Sequence, residues 1–303
     1  MTFSNILVAL DGSKNSQIAA EYAFWLASSL DADLTGQYVV DPRLIELFIE
    51  REFAEEIGME QSVETLEKVF SALRKIGRVV LERFQAQAKG RGFEVSTRLC
   101  EGHIVEEIVR NANKFDLLIM GHRGRGEQPL PTGILLGSVA ERVVVSANVP
   151  VLVAVQPISD VSQILVAYDG SEAARGALLM AENLAKYLQI KLRAITVVGD
   201  EAEKSQAKFL AEQGASYLRE YQDEDVFSVV EGAVGATLIQ SAAASNSLLV
   251  LGAYGFKNPE QNVLGSTATK VIRESRRSIL LYRPPGITEH LKERTAVAAK
   301  KRK

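Results

Sequence analysis

A chain of 303 residues, 47% apolar and 24% charged, has the length for two ordinary domains and the balance of a soluble globular protein. Its net charge of −3 argues against nucleic acid as the main partner. No apolar run reaches the ~18–20 residues that span a bilayer, and the single Cys100 excludes an internal disulfide and fits a reducing compartment.

The N-terminus enters an apolar strand at Ile6 without a basic flank or a cleavage site, so the chain reads as untargeted and cytoplasmic. Residues 6–10 form a strand, and 13–30 a helix with Ala19, Ala20, Ala23, Leu26 and Ala27 on its inner face. Residues 34–40 are the second strand. The stretch from Arg43 to Gly77 is charged and helical in pattern. Leu44, Leu47, Phe48 and Ile49 make one apolar stripe, and Val63, Leu66, Val69, Phe70 and Leu73 a second, with Gly58 between them. Such helices are expected to cover the domain's own surface. The pattern continues through residues 78–87 and ends at Gly90-Arg91-Gly92. Then come a strand at 95–100, a helix at 103–113, a strand at 117–120, a helix at 137–147 and a last strand at 151–155. Val/Ile/Leu strands alternating with helices indicate an α/β fold whose parallel sheet is covered on both faces.

The order then repeats. Residues 4–13 (Ser-Asn-Ile-Leu-Val-Ala-Leu-Asp-Gly-Ser) return as Ser162 to Ser171, an offset of 158 that still holds at Tyr38-Val39-Val40 against Thr196-Val197-Val198. Glu101-Gly102 returns at Glu231-Gly232, so the first copy carries about 28 extra residues before its third strand. A period this long means two domains, not a solenoid. The expected division is 1–155, with a helical insertion at about 43–77, and 161–285. Residues 156–160 are the linker, and 286–303 form a basic, solvated tail ending Lys300-Lys301-Arg302-Lys303.

The second copy holds the most informative stretch. The run Leu248 to Leu251 ends in Gly252-Ala253-Tyr254-Gly255, followed after nine residues by Gly265-Ser266-Thr267, which opens a helix. Glycines permit tight turns and close approach, and a helix N-terminus presents unpaired N–H groups and a positive dipole end to an anion. The pattern is that of a phosphate cradle; it is equally that of a βα loop whose glycines serve only to turn.

Gly, two residues, Gly, nine residues, Gly, Ser/Thr resembles the nucleotide-binding signature of the universal stress protein family. Ile164-Leu165-Val166-Ala167-Tyr168-Asp169 resembles that family's first strand, which ends in an acid. The resemblance covers nearly the whole chain. It implies two doubly wound five-stranded sheets of order 3-2-1-4-5, with ligands bound outside the carboxyl ends of strands 1 and 4. It also implies ATP, with any Mg2+ brought by the nucleotide. Ala167, Tyr168 and Asp169 would line the base and ribose, Val197 would meet the adenine through its backbone, and Gly252, Gly255, Lys257, Gly265, Ser266 and Thr267 would hold the phosphates. Asp169 also reads as an acid capping the next helix. The first copy offers Ala9, Leu10, Asp11, Val39, Gly121, Arg123, Gly124, Gly137, Ser138 and Val139. Its spacer, 125–136, is twelve residues and contains Pro129 and Pro131, which favours the second site. His122, Arg123 and Arg125 add positive charge there.

There is no Gly-x-x-x-x-Gly-Lys-Ser/Thr, no Gly-x-Gly-x-x-Gly after the first strand and no Gly-x-Ser-x-Gly. His103, His122 and His290 lack metal-ligand spacing and read as surface or helix-end residues. No catalytic residue and no general base is assigned, so ATP turnover is expected to be slow. The leading expectation is a tandem, stress-responsive ATP-binding regulator. The alternatives are an assembly module that binds no nucleotide and, behind it, an adenylate-forming or pyrophosphatase enzyme, which lacks its Ser-Gly-Gly loop. The last strand of each copy, 151–155 and 278–282, is an apolar edge. The resemblance implies that these edges pair antiparallel as an intramolecular pseudo-dimer, and self-association of the chain as a homodimer stays open.

Overall fold

The computed structural model describes residues 3–43, 63–124, 136–221, 225–253 and 264–284. The first half runs β1 (Asn5–Ala9), α1 (Lys14–Leu30), β2 (Asp33–Val40), α2 (Val63–Gly90), β3 (Ser96–Glu101), α3 (Ile104–Ala112), β4 (Leu117–Gly121), α4 (Ser138–Ser146) and β5 (Val151–Ala154). A 3-10 turn, Ile158–Asp160, leads into the second half. There follow β6 (Gln163–Ala167), α5 (Glu172–Leu188), β7 (Lys191–Val198), α6 (Lys204–Ala215), β8 (Phe227–Glu231), α7 (Val234–Ala244), β9 (Ser247–Gly252), α8 (Ser266–Glu274) and β10 (Ile279–Tyr282).

Each half has the order 3-2-1-4-5, all parallel, as the family resemblance implied. The two five-stranded sheets join edge to edge. β5 and β10 pair antiparallel, Ile279 against Val153, Leu280 against Leu152 and Leu281 against Val151, which makes one ten-stranded sheet. Leu152 and Leu280 are fully buried at this seam. The amide of Val155 donates to Ser278 Oγ at 2.9 Å, and Gln156 Oε1 accepts from the Ser278 amide at 2.7 Å. The exposed edges foreseen at residues 151–155 and 278–282 thus cover one another.

Helices lie on both faces, so successive strand residues alternate between two apolar cores, each continuous across the seam. One core gathers α1, α2, α5 and α6; the other gathers α3, α4, α7 and α8. The small stripe Ala19, Ala20, Ala23 and Ala27 lets α1 lie close on the sheet. Its N-cap is Ser13, whose hydroxyl accepts from the Ser16 amide at 3.1 Å; Ser171 does the same for Ala174 on α5 at 3.2 Å. Such a cap is worth about 1 kcal/mol.

α2 is one helix of 28 residues that runs through Gly77, past the expected end of the insertion. A Cβ on Gly77 would lie 2.6 Å from Leu99 Cδ1 and 2.7 Å from Tyr38 Cδ1, so any larger residue would have to displace those side chains. Leu81, Phe84 and Ala88 are buried, and Phe84 stacks on Phe24 at 5.0 Å. The described part of the helix therefore covers its own domain. The first stripe, Leu44 to Ile49, and Gly58 lie outside the described residues. No described helix is long and apolar enough to cross a membrane.

Candidate functional site

The pieces singled out in the sequence meet at the carboxyl ends of β1 and β4, and again of β6 and β9. After β1 the ladder continues one step, with the Leu10 amide donating to Gln37 O at 2.8 Å, and the chain then turns at Asp11-Gly12. Gly12 has φ 77° and Gly170 has φ 81°, a left-handed conformation that only glycine adopts without cost. Asp11 Oδ1 accepts from the Ser13 amide at 2.8 Å, and Asp169 Oδ1 from the Ser171 amide at 2.9 Å. The acid therefore braces the turn, while the helix cap itself is the serine. That corrects the expectation of Asp169 as the cap.

Tyr168 departs from the sequence expectation. Its ring is buried in the core, edge-on to Phe227 at 5.4 Å, and burial raises the phenol pKa. Leu10, at the same place in the first half, is buried on the same side of the sheet. Strand alternation turns both side chains away from Ala9 and Ala167, which are half-buried on the other face with Val39 and Val197. The backbone of Tyr168, not its ring, faces the strand ends. Its carbonyl accepts from Thr196 Oγ1 at 2.9 Å.

At the end of β4, a Cβ on Gly121 would lie 2.7 Å from the carbonyl carbon of Asn15, and one on Gly252 would lie 2.8 Å from that of Ala173. These two glycines admit the first turn of α1 and α5 against the strand. Gly124 approaches the acid: its Cβ position is 3.2 Å from Asp11 Oδ2. Asn15 Nδ2 ties the same region down by donating to Arg123 O at 3.1 Å. Arg123 is only 7% exposed. The sequence offered it as solvated loop charge; in the fold it is buried. His122 is half-buried, and its Nδ1 lies 3.2 Å from Ala154 O. His103 occupies the N-cap position of α3 without a side-chain cap bond. There Asp41 takes over, accepting from the Ile104 amide at 3.3 Å and from Arg43 Nε at 3.0 Å. Burial opposes its ionisation, but the hydrogen bonds from Arg43 and Ile104 outweigh that and hold the carboxyl below its usual range.

Both glycine loops return in the same way. The Gly137 amide donates to His122 O at 2.7 Å, and the Gly265 amide to Ala253 O at 3.1 Å. The three additional residues of the first spacer leave this closure intact, so spacing gives no reason to rank the second site above the first. Gly137 (φ −78°, ψ 158°) and Gly265 (φ −57°, ψ 149°) are the N-caps of α4 and α8, and neither has a side chain to satisfy the first-turn amides. Ser138, Val139, Ser266 and Thr267 supply those turns. Leu136 and Leu264, just before the glycines, are buried and anchor the loops. Their recurrence as Leu-Gly-Ser was readable in the repeat. Gly255, Lys257 and Arg125 lie outside the described residues, as do Pro129 and Pro131. Among the described residues no group of three or more His, Cys, Asp or Glu is gathered to hold a metal ion.

The profile of the universal stress protein family matches residues 2–155 and again 161–283. A universal stress protein of Synechocystis sp. is 27% identical over 295 residues, 92% of this chain and 99% of that relative. One of Methanocaldococcus jannaschii is 34% identical over 160 residues, 51% of this chain and 84% of the relative. In fold, the chain is similar to the crystal structure of a universal stress protein from Archaeoglobus fulgidus, with a TM-score of 0.69 and 21% identity, over 93% of this chain and 99% of that one.

Proposed function

The chain belongs to the universal stress protein family, in two tandem copies, and on that footing we propose that it is a stress-response regulator that binds ATP in both halves. The carrying observation is the pair of glycine-capped helices, α4 and α8, closed onto the ends of β4 and β9 by the same backbone hydrogen bond. A glycine cap leaves first-turn amides to an anion, and the dipole favours negative charge at that end. Gly137, Ser138 and Val139, and Gly265, Ser266 and Thr267, would hold phosphates. Gly124, Gly255 and Lys257 belong to the same loops. Asp11 and Asp169 would face the ribose, and Ala9 with Val39, or Ala167 with Val197, the base. Arg123 adds a positive charge to the first site. Any Mg2+ would be carried by the phosphates. The nucleotide acts as a regulatory ligand and is turned over slowly at most, in the cytoplasm.

Titration calorimetry tests the reading. The wild-type chain is expected to bind two equivalents of ATP, and Gly137→Asp and Gly265→Asp one each, because each substitution puts a carboxylate where phosphate oxygens would lie. No ATP bound by the wild type would leave the fold as an assembly module, and two equivalents retained by the double variant would put the nucleotide elsewhere; either result would overturn the proposal.

A further inference from the structure

The helix that forms the first cradle is held at both ends by the second half. At its C-terminus, Arg283, which follows β10, donates from Nη2 to Val144 O at 2.7 Å and to Val145 O at 2.8 Å. Near its N-terminus, Glu141 Oε1 accepts from Arg273 Nε at 2.9 Å and is also bonded by Nη2 of the same guanidinium. Arg273 is in the last turn of α8. The repeat shows that these clamps act one way only. The counterparts of Glu141, Arg273 and Arg283 in the other half are Thr269, Val145 and Val155, and none carries charge.

Glu141 lies three residues after Ser138 and four after Gly137, on the same face of α4, and helical side chains lean towards the N-terminus. An unpaired carboxylate there would stand beside the cradle and repel phosphate. We infer that Arg273, contributed by the second half, is a positioning residue for the first-half nucleotide site: it holds Glu141 aside and cancels its charge. The first site is then complete only when the halves are joined, whereas the second, with neutral Thr269, does not depend on such a pair. This inference rests on the nucleotide reading given above.

A unit charge about 8–10 Å from a phosphate, at an effective dielectric between a protein surface and water, changes affinity about three- to tenfold. The experiment uses the full-length chain carrying Gly265→Asp, so that only the first site is read, and titrates it with MgATP at low and high salt. Arg273→Gln is expected to weaken binding about three- to tenfold at low salt, and by less at high salt. Adding Glu141→Gln is expected to restore the affinity, and Glu141→Gln alone to leave it equal or tighter. Unchanged affinity in Arg273→Gln, or a double variant as weak as Arg273→Gln, would overturn the inference while leaving ATP binding in place. Should Arg273→Gln not fold, weaker binding by Glu141→Gln alone would overturn it equally. If the Gly265→Asp parent binds no ATP, the nucleotide reading of the first site fails and the inference fails with it.

Discussion

Gly252→Ala separates a glycine that serves packing from one that serves a ligand. The new Cβ would sit 2.8 Å from both the carbonyl carbon and the Cβ of Ala173, and 3.0 Å from the Ala174 amide nitrogen. Ordinary contact begins at 3.4 Å, so the first turn of α5 must retreat by roughly half an ångström or more, a forced overpacking. That turn cannot swing freely. Ser171 caps it, and Asp169 braces the chain that enters it. Overpacking against fixed backbone costs about 1–3 kcal/mol, which lowers the thermal midpoint of a domain of this size by about 2–10 °C. Thermal unfolding followed by circular dichroism measures this, and ATP titration well below the midpoint measures the site. The expected outcome is a lower midpoint with affinity within about threefold of wild type. An unchanged midpoint with affinity lost more than tenfold would show that residue 252 faces the ligand, and would refute the packing argument. Gly121→Ala, whose Cβ would come within 2.7 Å of Asn15, is expected to behave the same way.

Leu280→Ala removes a fully buried side chain at the seam and is expected to cost about 2–5 kcal/mol. Hydrogen exchange should then show protection falling on β5 as well as β10; loss confined to β10 would mean that the halves unfold independently. Asp41→Asn removes a carboxylate whose folded pKa lies below its ordinary 3.8. Its contribution is present above the unfolded value and is lost as pH falls through the folded one, so the variant should be less stable at pH 7 and match wild type under strong acid. A stability difference that persists unchanged in acid would refute this.

Much of the fold was legible because period and repeat carry it. The buried strands and the helices between them follow from short local patterns, and the strand order of each half from the family resemblance. Strand alternation could also have placed Tyr168. The family signature drew the ring of Tyr168 toward the base, yet Ala167 lies on one face and Tyr168 must lie on the other. What local pattern could not supply was long-range. Nothing near Gly77 says that Tyr38 and Leu99 crowd it. Nothing near Arg123 says that Asn15 binds its carbonyl. Glu141 and Arg273 lie on different halves, and only the seam brings them together.

The seam also decides which way the molecule faces. β5 and β10 run in opposite directions, and every strand within a half is parallel to its neighbours. The carboxyl ends of the first five strands therefore emerge along one rim of the sheet, and those of the second five along the opposite rim. The two crevices open back to back, and no flat surface touches both. Whatever enters one crevice therefore approaches the sheet from the rim opposite to whatever enters the other.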